Sequence, residues 1–379
     1  MDFDYAVMPA IIPVAGILVV WLSIRRIRSL PKKNFRRWRR VAERSALVIV
    51  ALVAAVVAVS SPFNAIALHH FWAKNPSPGA FYAVNGRRMH MNCTGNGSPT
   101  IVLDSGLGDG ALIWGAVQPE LSQTTRVCSY DRAGLGGSEA LPPPRDADRI
   151  AAELHELLHQ ANVSGPLVLM GHSIAGLYVR DYASRYPADI AGLVFVDAST
   201  PLQDDTFKKA MTAQPPPRWI LYPAMRALFI AGVPRLLGLC SKPTSGIPGQ
   251  AGMLEAEDFC RTHFGAVAAE ADSFERSGLE TAHTGPYGSM PILIISEDGT
   301  TMRLPISAQQ TAEMAKIWDQ MQENLKKLST CSRRIIAKGS DHYIQRSRAD
   351  LIDKEVPLFI EQIRGTAPQP ANCGSTVTE

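Results

Sequence analysis

Residues 167–176 read LVLMGHSIAG, an apolar run that passes directly into a segment of helical character through a serine at position 173. A strand, a serine and a helix in this order are typical of a nucleophile elbow, a sharp turn that exposes the serine oxygen above a sheet edge. Such a turn tolerates only small side chains two residues to either side, and Gly171 and Ala175 are both small. Ser173 is therefore the predicted nucleophile, and the competing interpretation is a serine that merely caps the helix.

The surrounding sequence predicts an α/β domain built on a largely parallel sheet, because short apolar runs alternate with helical stretches from about residue 80 onward. The domain should open with a hairpin over residues 80–93, since Asn85-Gly86 is a preferred two-residue hairpin turn. Further strands are predicted at 101–103, 126–130, 166–170, 191–196, 291–295 and 334–336, and helices at 111–121, 146–161, 308–328 and 351–363.

A working serine also needs a general base and an acid that orients it. His342 follows the last predicted strand and precedes the closing helix, so it is the candidate base. The strand at 291–295 ends in two adjacent carboxylates, Glu297 and Asp298. Asp298 is the predicted acid because it precedes a glycine, where a short carboxylate can turn toward the imidazole. Glu297 is one alternative, and Asp197, at the end of the preceding strand, is another.

Together these motifs resemble the α/β-hydrolase superfamily, whose usual nucleophile motif is G-x-S-x-G, and Ala175 departs from it in the second glycine. Two further segments carry the resemblance, DSGLGDG at 104–110 and YDRAGLGGS at 130–138, the latter similar to a D-R-x-G-x-G-x-S turn. The resemblance covers residues 80–363. It implies the chain order serine, acid, histidine, and an oxyanion hole formed by the amides of Leu107 and Ile174.

The resemblance also implies several coarser properties. Asp131 and Arg132 are expected to pair with each other and hold their loop under the site. The part of the chain from the long helix to His342 looks similar to a bacterial branch of general α/β-fold hydrolases. No cofactor and no metal are expected.

The amino-terminal region predicts a membrane anchor, residues 1–70. Two apolar runs, 7–24 and 46–68, each approach the roughly 20 residues that span a bilayer. Between them, residues 25–44 hold ten of the 38 Lys and Arg residues against one acidic residue, Glu43. Basic loops stay in the cytoplasm, so we expect a two-pass cell-membrane protein with an extracytoplasmic domain. The alternative is that the second run is a signal segment, either uncleaved or cleaved at small residues such as Ala58, Ser60 and Ser61.

Outside the basic segment and the first acidic residues, the chain carries 28 basic and 32 acidic residues, which argues against a nucleic-acid partner.

The predicted hydrolase core comprises residues 80–199 and 290–364. Residues 200–289 interrupt the alternation of strands and helices and are interpreted as an inserted lid. The apolar side chains of this lid either line an apolar substrate pocket or pack into a core of their own. The tail, 365–379, is expected to be disordered.

All six cysteines follow the second apolar run, and Cys240–Cys260 is the first disulfide we expect, although buried thiols are an alternative.

The expected function is hydrolysis of an acyl bond, most simply a carboxylic ester of a small molecule or a lipid, through an acyl-enzyme on Ser173. The same residues would serve a peptidase, a thioesterase or an acyltransferase, and the sequence does not separate these. A non-catalytic binding protein of the same fold is the alternative from a different class. The sequence gives no indication of the oligomeric state.

Overall fold

The computed structural model describes residues 7–30, 37–201, 203, 206–207, 217–301, 307–366 and 373–379. Its centre is a nine-stranded sheet in the order β1-β2-β4-β3-β5-β6-β7-β8-β9. Strands β3 to β9 run parallel to their neighbours, while the hairpin β1–β2 joins the sheet antiparallel through β4. The strands are β1 Ala80–Val84, β2 Arg87–Thr94, β3 Thr100–Asp104, β4 Val127–Tyr130, β5 Leu167–His172, β6 Ile190–Val196, β7 Ile292–Glu297, β8 Ser332–Ala337 and β9 Thr376–Thr378.

The helices surround this sheet and extend from it at the amino terminus. In chain order they are α1 Met8–Ser29, α2 Arg37–Lys74, α3 Gln118–Leu121, α4 Ala147–Gln160, α5 Ala175–Arg185, α6 Arg218–Ile230, α7 Val233–Leu236, α8 Gly249–Cys260, α9 Phe264–Asp272, α10 Phe274–Thr281, α11 Ala308–Leu325, α12 Ile344–Ser347 and α13 Ala349–Arg364. The predicted strands and the long flanking helices are confirmed to within a few residues. The exception is the helix expected at 111–121, which is a 3₁₀ turn, Ala111–Trp114, followed by the short α3.

The core is divided by the sheet, because successive side chains of a strand point to opposite faces. Leu169, Phe195 and Ile294 belong to one buried apolar cluster, whereas their neighbours Met170 and Val194 belong to another on the opposite face. Helices cover both clusters. Parallel strands buried on both faces are near-continuously apolar, which is the pattern of residues 167–170.

Both α1 and α2 are long and apolar enough to cross a membrane. They pack closely: a Cβ on Gly16 would lie 2.7 Å from the Cβ of Ala58 and 2.9 Å from the carbonyl oxygen of Ala54. Small residues permit such close approach between apolar helices. The predicted basic loop, 25–44, is described only in part, because residues 31–36, like the first six residues with Asp2 and Asp4, lie outside the described chain.

All six cysteines are paired, as Cys93–Cys128, Cys240–Cys260 and Cys331–Cys373. The expected Cys240–Cys260 disulfide is therefore present, within the lid. The expectation of a disordered tail is wrong for its described end, residues 373–379. Here Cys373 is tied to Cys331 and β9 pairs with β8 at the sheet edge, whereas residues 367–372 lie outside the described chain.

The predicted lid, residues 200–289, contains helices α6 to α10 in its described part. The proline run at its start falls mostly on residues 208–216, outside the described chain. Helix α9 packs on the loops that follow β3 and β4: a Cβ on Gly108 would lie 3.3 Å from Val267, and one on Gly134 2.7 Å from Ala266. Helix α9 of the predicted lid therefore lies against the loops at the carboxyl ends of β3 and β4.

Candidate active site

Ser173 stands at the turn between β5 and α5 in a left-handed backbone conformation, with φ of +55°. This conformation is strained for a residue with a side chain and is common at functional turns. The turn is crowded, since a Cβ on Gly171 would lie 2.8 Å from the carbonyl oxygen of Ala175, and one on Gly176 2.6 Å from the Cβ of Ala198. Alanine fits at position 175, where it is fully buried. The predicted elbow geometry is present.

His342 lies in the loop between β8 and α12, where its ring bridges two side chains. Its Nε2 is 2.9 Å from the Oγ of Ser173, and its Nδ1 is 2.6 Å from the Oδ2 of Asp197. Burial lowers the pKa of His342, but the hydrogen bond and charge of Asp197, with the charges of Glu297 and Asp109, raise it above its ordinary value overall. A hydroxyl, an imidazole and a carboxylate thus form one hydrogen-bonded series.

Asp197, rather than Asp298, is the acid beside His342, which corrects the sequence-based choice. Asp197 is fully buried after β6 and has a positive φ of +43°. Its Oδ1 accepts hydrogen bonds from the Nε1 of Trp318 at 2.8 Å and from the backbone N–H of Glu297 at 3.0 Å. These donors leave Oδ2 for the imidazole and fix the direction of the carboxylate.

Asp298 is occupied elsewhere. Its Oδ2 accepts from the backbone N–H of Gly339 at 2.9 Å, and its Oδ1 accepts from the N–H and hydroxyl of Thr300. Burial raises the pKa of Asp298, but these hydrogen bonds lower it below its ordinary value overall. They also tie the loop after β7 to the loop after β8. The glycine that motivated the choice, Gly299, has a positive φ and serves this turn.

Glu297 lies at the end of β7 with its side chain buried. Burial, followed by the negative charge of Asp197, raises the pKa of Glu297 to about 7, although the charge of His342 opposes this. Its carboxylate contributes to the raised pKa of His342. Glu297 is thus a second carboxyl beside the imidazole, without a hydrogen bond to it among the described residues.

The backbone N–H groups of Leu107 and Ile174 donate no hydrogen bond to another residue in the described part of the chain. Ile174 immediately follows Ser173, at the start of α5. Leu107 belongs to the glycine loop, residues 104–110, which approaches the elbow closely: a Cβ on Gly106 would lie 2.9 Å from the Nδ1 of His172. Two unengaged amides near a serine are the groups that an oxyanion hole requires.

His172, for which the sequence suggested no role, holds the loop of the neighbouring histidine. Its Nε2 donates to the carbonyl oxygen of His342 at 2.9 Å. Burial, and then the charge of His342, lowers the pKa of His172 far below its usual value, so the ring remains neutral. In the sequence, His172 stands out only as the histidine of the G-H-S motif. Its partner, His342, lies 170 residues further along the chain, so the contact could not be foreseen.

Asp131 and Arg132 do not pair with each other, contrary to the prediction. Asp131 contacts His90 and accepts from the N–H groups of Ala111 and Gly137. Arg132 is fully buried and binds the carboxylates of Asp104 and Glu270. It also donates to the carbonyl oxygens of Ser105 and Gly106, at 2.6 and 2.7 Å. Both residues hold loops around the site, as expected, but through other partners.

Comparison with known proteins agrees with this architecture. The model of the alpha/beta hydrolase family matches residues 101–354. A probable transporter from Hormonema carpetanum is 26% identical over 78% of this chain and 44% of its own length. An uncharacterised protein from Schizosaccharomyces pombe is 30% identical over 64% of this chain and 43% of its own. The chain thus spans less than half the length of either relative.

Among solved structures, an enol-lactonase from Burkholderia xenovorans LB400 superposes with a TM-score of 0.51 at 22% identity. The superposition covers 74% of this chain and 99% of the lactonase, which shows a shared fold. The expected restriction to a bacterial branch is not borne out, because both relatives named above are fungal. With the family model matched over most of its core, the chain belongs to the alpha/beta hydrolase family.

Proposed function

We propose that this protein is a membrane-anchored serine hydrolase that cleaves an acyl bond, in the first place a carboxylic ester. The observation that carries the proposal is the series Ser173–His342–Asp197, with separations of 2.9 and 2.6 Å, at an elbow of positive φ. A serine hydroxyl is a weak nucleophile until a neighbouring base accepts its proton. The series supplies that base, with a buried carboxylate that fixes its orientation.

In the proposed mechanism, His342 Nε2 takes the Ser173 proton as the serine oxygen attacks the acyl carbonyl. The amides of Leu107 and Ile174 would donate to the oxyanion that develops. The imidazolium, stabilised by Asp197, then protonates the leaving alkoxide and leaves an acyl-enzyme. Water attacks this ester by the same route and regenerates Ser173. The described residues supply every group that these steps need.

Substrate and location belong to the same proposal. We take the substrate to be a small-molecule or lipid ester, because the two candidate spans would hold the catalytic domain at a bilayer. Three disulfides and the basic segment, residues 25–44, favour an extracytoplasmic domain.

Labelling with a fluorophosphonate probe tests the activated serine. The full chain in detergent and in bilayer discs should be labelled, and Ser173→Ala should lose all labelling. Ser122→Ala, at the amino-terminal side of β4 and away from the site, is the matched control and should label like the wild type. A folded wild type that resists the probe in both environments would favour the non-catalytic binding protein instead. Turnover of esters, thioesters and amides would then identify the bond.

A further inference from the structure

Helix α6 and the segment that follows it expose several large apolar side chains. Within α6 only Phe229 and Ile230 are buried. Trp219 is 77% exposed and Leu237 is 70% exposed. Contiguous exposed apolar surface marks an interaction site. The apolar lid surface consists of Trp219, Ile220, Leu228, Leu236, Leu237 and Leu239.

This part of the lid is attached to the second candidate span. The Oγ of Ser60 donates to the carbonyl oxygen of Ala231. Asn64 donates through Nδ2 to the carbonyl oxygen of Phe229 at 3.5 Å and accepts from Arg235 Nε at 2.8 Å. The backbones also approach closely, since a Cβ on Gly232 would lie 2.9 Å from the carbonyl oxygen of Ser60. Two polar side chains of the apolar helix α2 therefore form hydrogen bonds with backbone and side-chain groups of the predicted lid.

The position of these contacts along α2 places them at a definite depth. Ser60 follows Arg44, the last residue of the basic segment, by sixteen positions. At about 1.5 Å of rise per residue, Ser60 lies about 24 Å from the cytoplasmic boundary of the span. The hydrocarbon layer is about 30 Å thick, so Ser60 falls in its outer part and Asn64, four residues further on, lies near its outer boundary. At the same level α2 exposes Phe63 and Ile66, which are 57% and 59% exposed.

We infer that the apolar lid surface is embedded in the outer leaflet, with the acyl chains of the lipids as its partner. The inference goes beyond ester hydrolysis and rests on the proposed membrane span of α2 and its proposed orientation. Ser60 and Asn64 tie the carboxyl-terminal end of α6 to the outer end of the span, where α2 also exposes the apolar side chains of Phe63 and Ile66. Polar residues within a span usually mark such specific contacts.

Spin labels on the full chain in bilayer discs of phosphatidylcholine and phosphatidylglycerol test this. The native cysteines are all paired, so thiols introduced by Trp219→Cys and Leu237→Cys can be labelled selectively. Gln160→Cys is the control, because Gln160 is exposed at the end of α4, shortly before β5 begins and away from the lid. Mass spectrometry confirms that the three native disulfides remain in each variant.

Embedding predicts that labels at 219 and 237 collide more with dissolved oxygen than with a water-soluble nickel complex, and that the label at 160 does the reverse. Labels at 219 and 237 that meet the nickel complex as readily as the label at 160 would overturn the inference. Protection from both reagents, with spin–spin broadening, would also overturn it and would indicate contact with a second copy. The readout needs no catalysis, so its outcome is separate from that of the proposed hydrolase activity.

Discussion

Asp197 and Asp298 follow neighbouring strands, and their surroundings predict unequal effects of substitution. Asp197→Asn removes the charge that stabilises the His342 imidazolium, so we expect kcat for ester hydrolysis to fall by roughly 10³- to 10⁴-fold. Asp298→Asn removes a turn contact with Thr300 and Gly339, and kcat should fall by less than about tenfold. Steady-state measurements of kcat with one soluble ester compare the two variants. A larger loss in Asp298→Asn than in Asp197→Asn would contradict the assignment of the acid.

The charge of Glu297 should affect the pH dependence of kcat/KM. A general base acts when neutral, so kcat/KM rises as pH passes upward through the pKa of His342. The negative charge of Glu297 raises that pKa. Glu297→Gln should therefore lower the pKa of His342 and displace the acid limb of kcat/KM to lower pH, by up to about one unit. Since burial raises the pKa of Glu297 to about 7, its charge is present chiefly above neutrality.

Profiles of kcat/KM from pH 5 to 9 for the wild type, Glu297→Gln and Asp298→Asn check this. Asp298 lies in the adjacent loop and provides a control for removing a nearby carboxylate. An acid limb that stays in place, or that moves to higher pH in Glu297→Gln, would show that Glu297 does not act on the imidazole through its charge.

At the scale of elements, Arg132 connects three parts of the molecule. It follows β4, binds Asp104 at the end of β3, and reaches Glu270 in lid helix α9 at 2.8 Å. All three side chains are buried. Arg132→Met would leave two carboxylates buried without their cation, so the free energy of unfolding should fall by about 3–5 kcal/mol. Denaturant unfolding of the full chain measures this.

Arg276→Met is the matched control, because Arg276 forms ion pairs with Asp146 and Glu280 while its own side chain is exposed. Its unfolding midpoint should stay close to that of the wild type, since exposed pairs are screened by water. Equal midpoints for the two variants would mean that the buried cluster around Arg132 contributes little. A lower unfolding midpoint in Arg132→Met, accompanied by faster proteolysis within the predicted lid, would show that the stability is lost at α9.

At the scale of the whole molecule, the proposed anchor, the predicted lid and the hydrolase core form a continuous series of contacts. Helix α2 meets the lid at Ser60 and Asn64, and the lid meets the core through Glu270 and Arg132. The proposed topology requires that everything after α2 be exported. An alkaline phosphatase fused after Lys74 should be active, and one fused after Leu30 should be inactive, because this enzyme folds only in an oxidising compartment. The reverse pattern would contradict the two-span topology.

Local sequence determined most of the elements and pointed to two of the three residues of the hydrogen-bonded series, Ser173 and His342. Apolar runs and turn residues predicted the strands, as at Asn85-Gly86, because strand and turn formation depend on neighbouring residues. Ser173 and His342 were also predictable, since each follows a strand whose carboxyl end must face the same edge of the sheet. Cysteine spacing, together with the export predicted for this region, indicated Cys240–Cys260.

Tertiary structure alone decided which groups meet. Asp197, Glu297 and Asp298 are carboxylates at the ends of two adjacent strands, and sequence position does not tell which one faces His342. The choice depends on the donors of Trp318, Thr300 and Gly339, which come from distant parts of the chain. The partners of Arg132 and the pairing of the tail as β9 have the same origin. Hydrogen bonds and burial act through space, so their outcome follows from packing rather than from order along the chain.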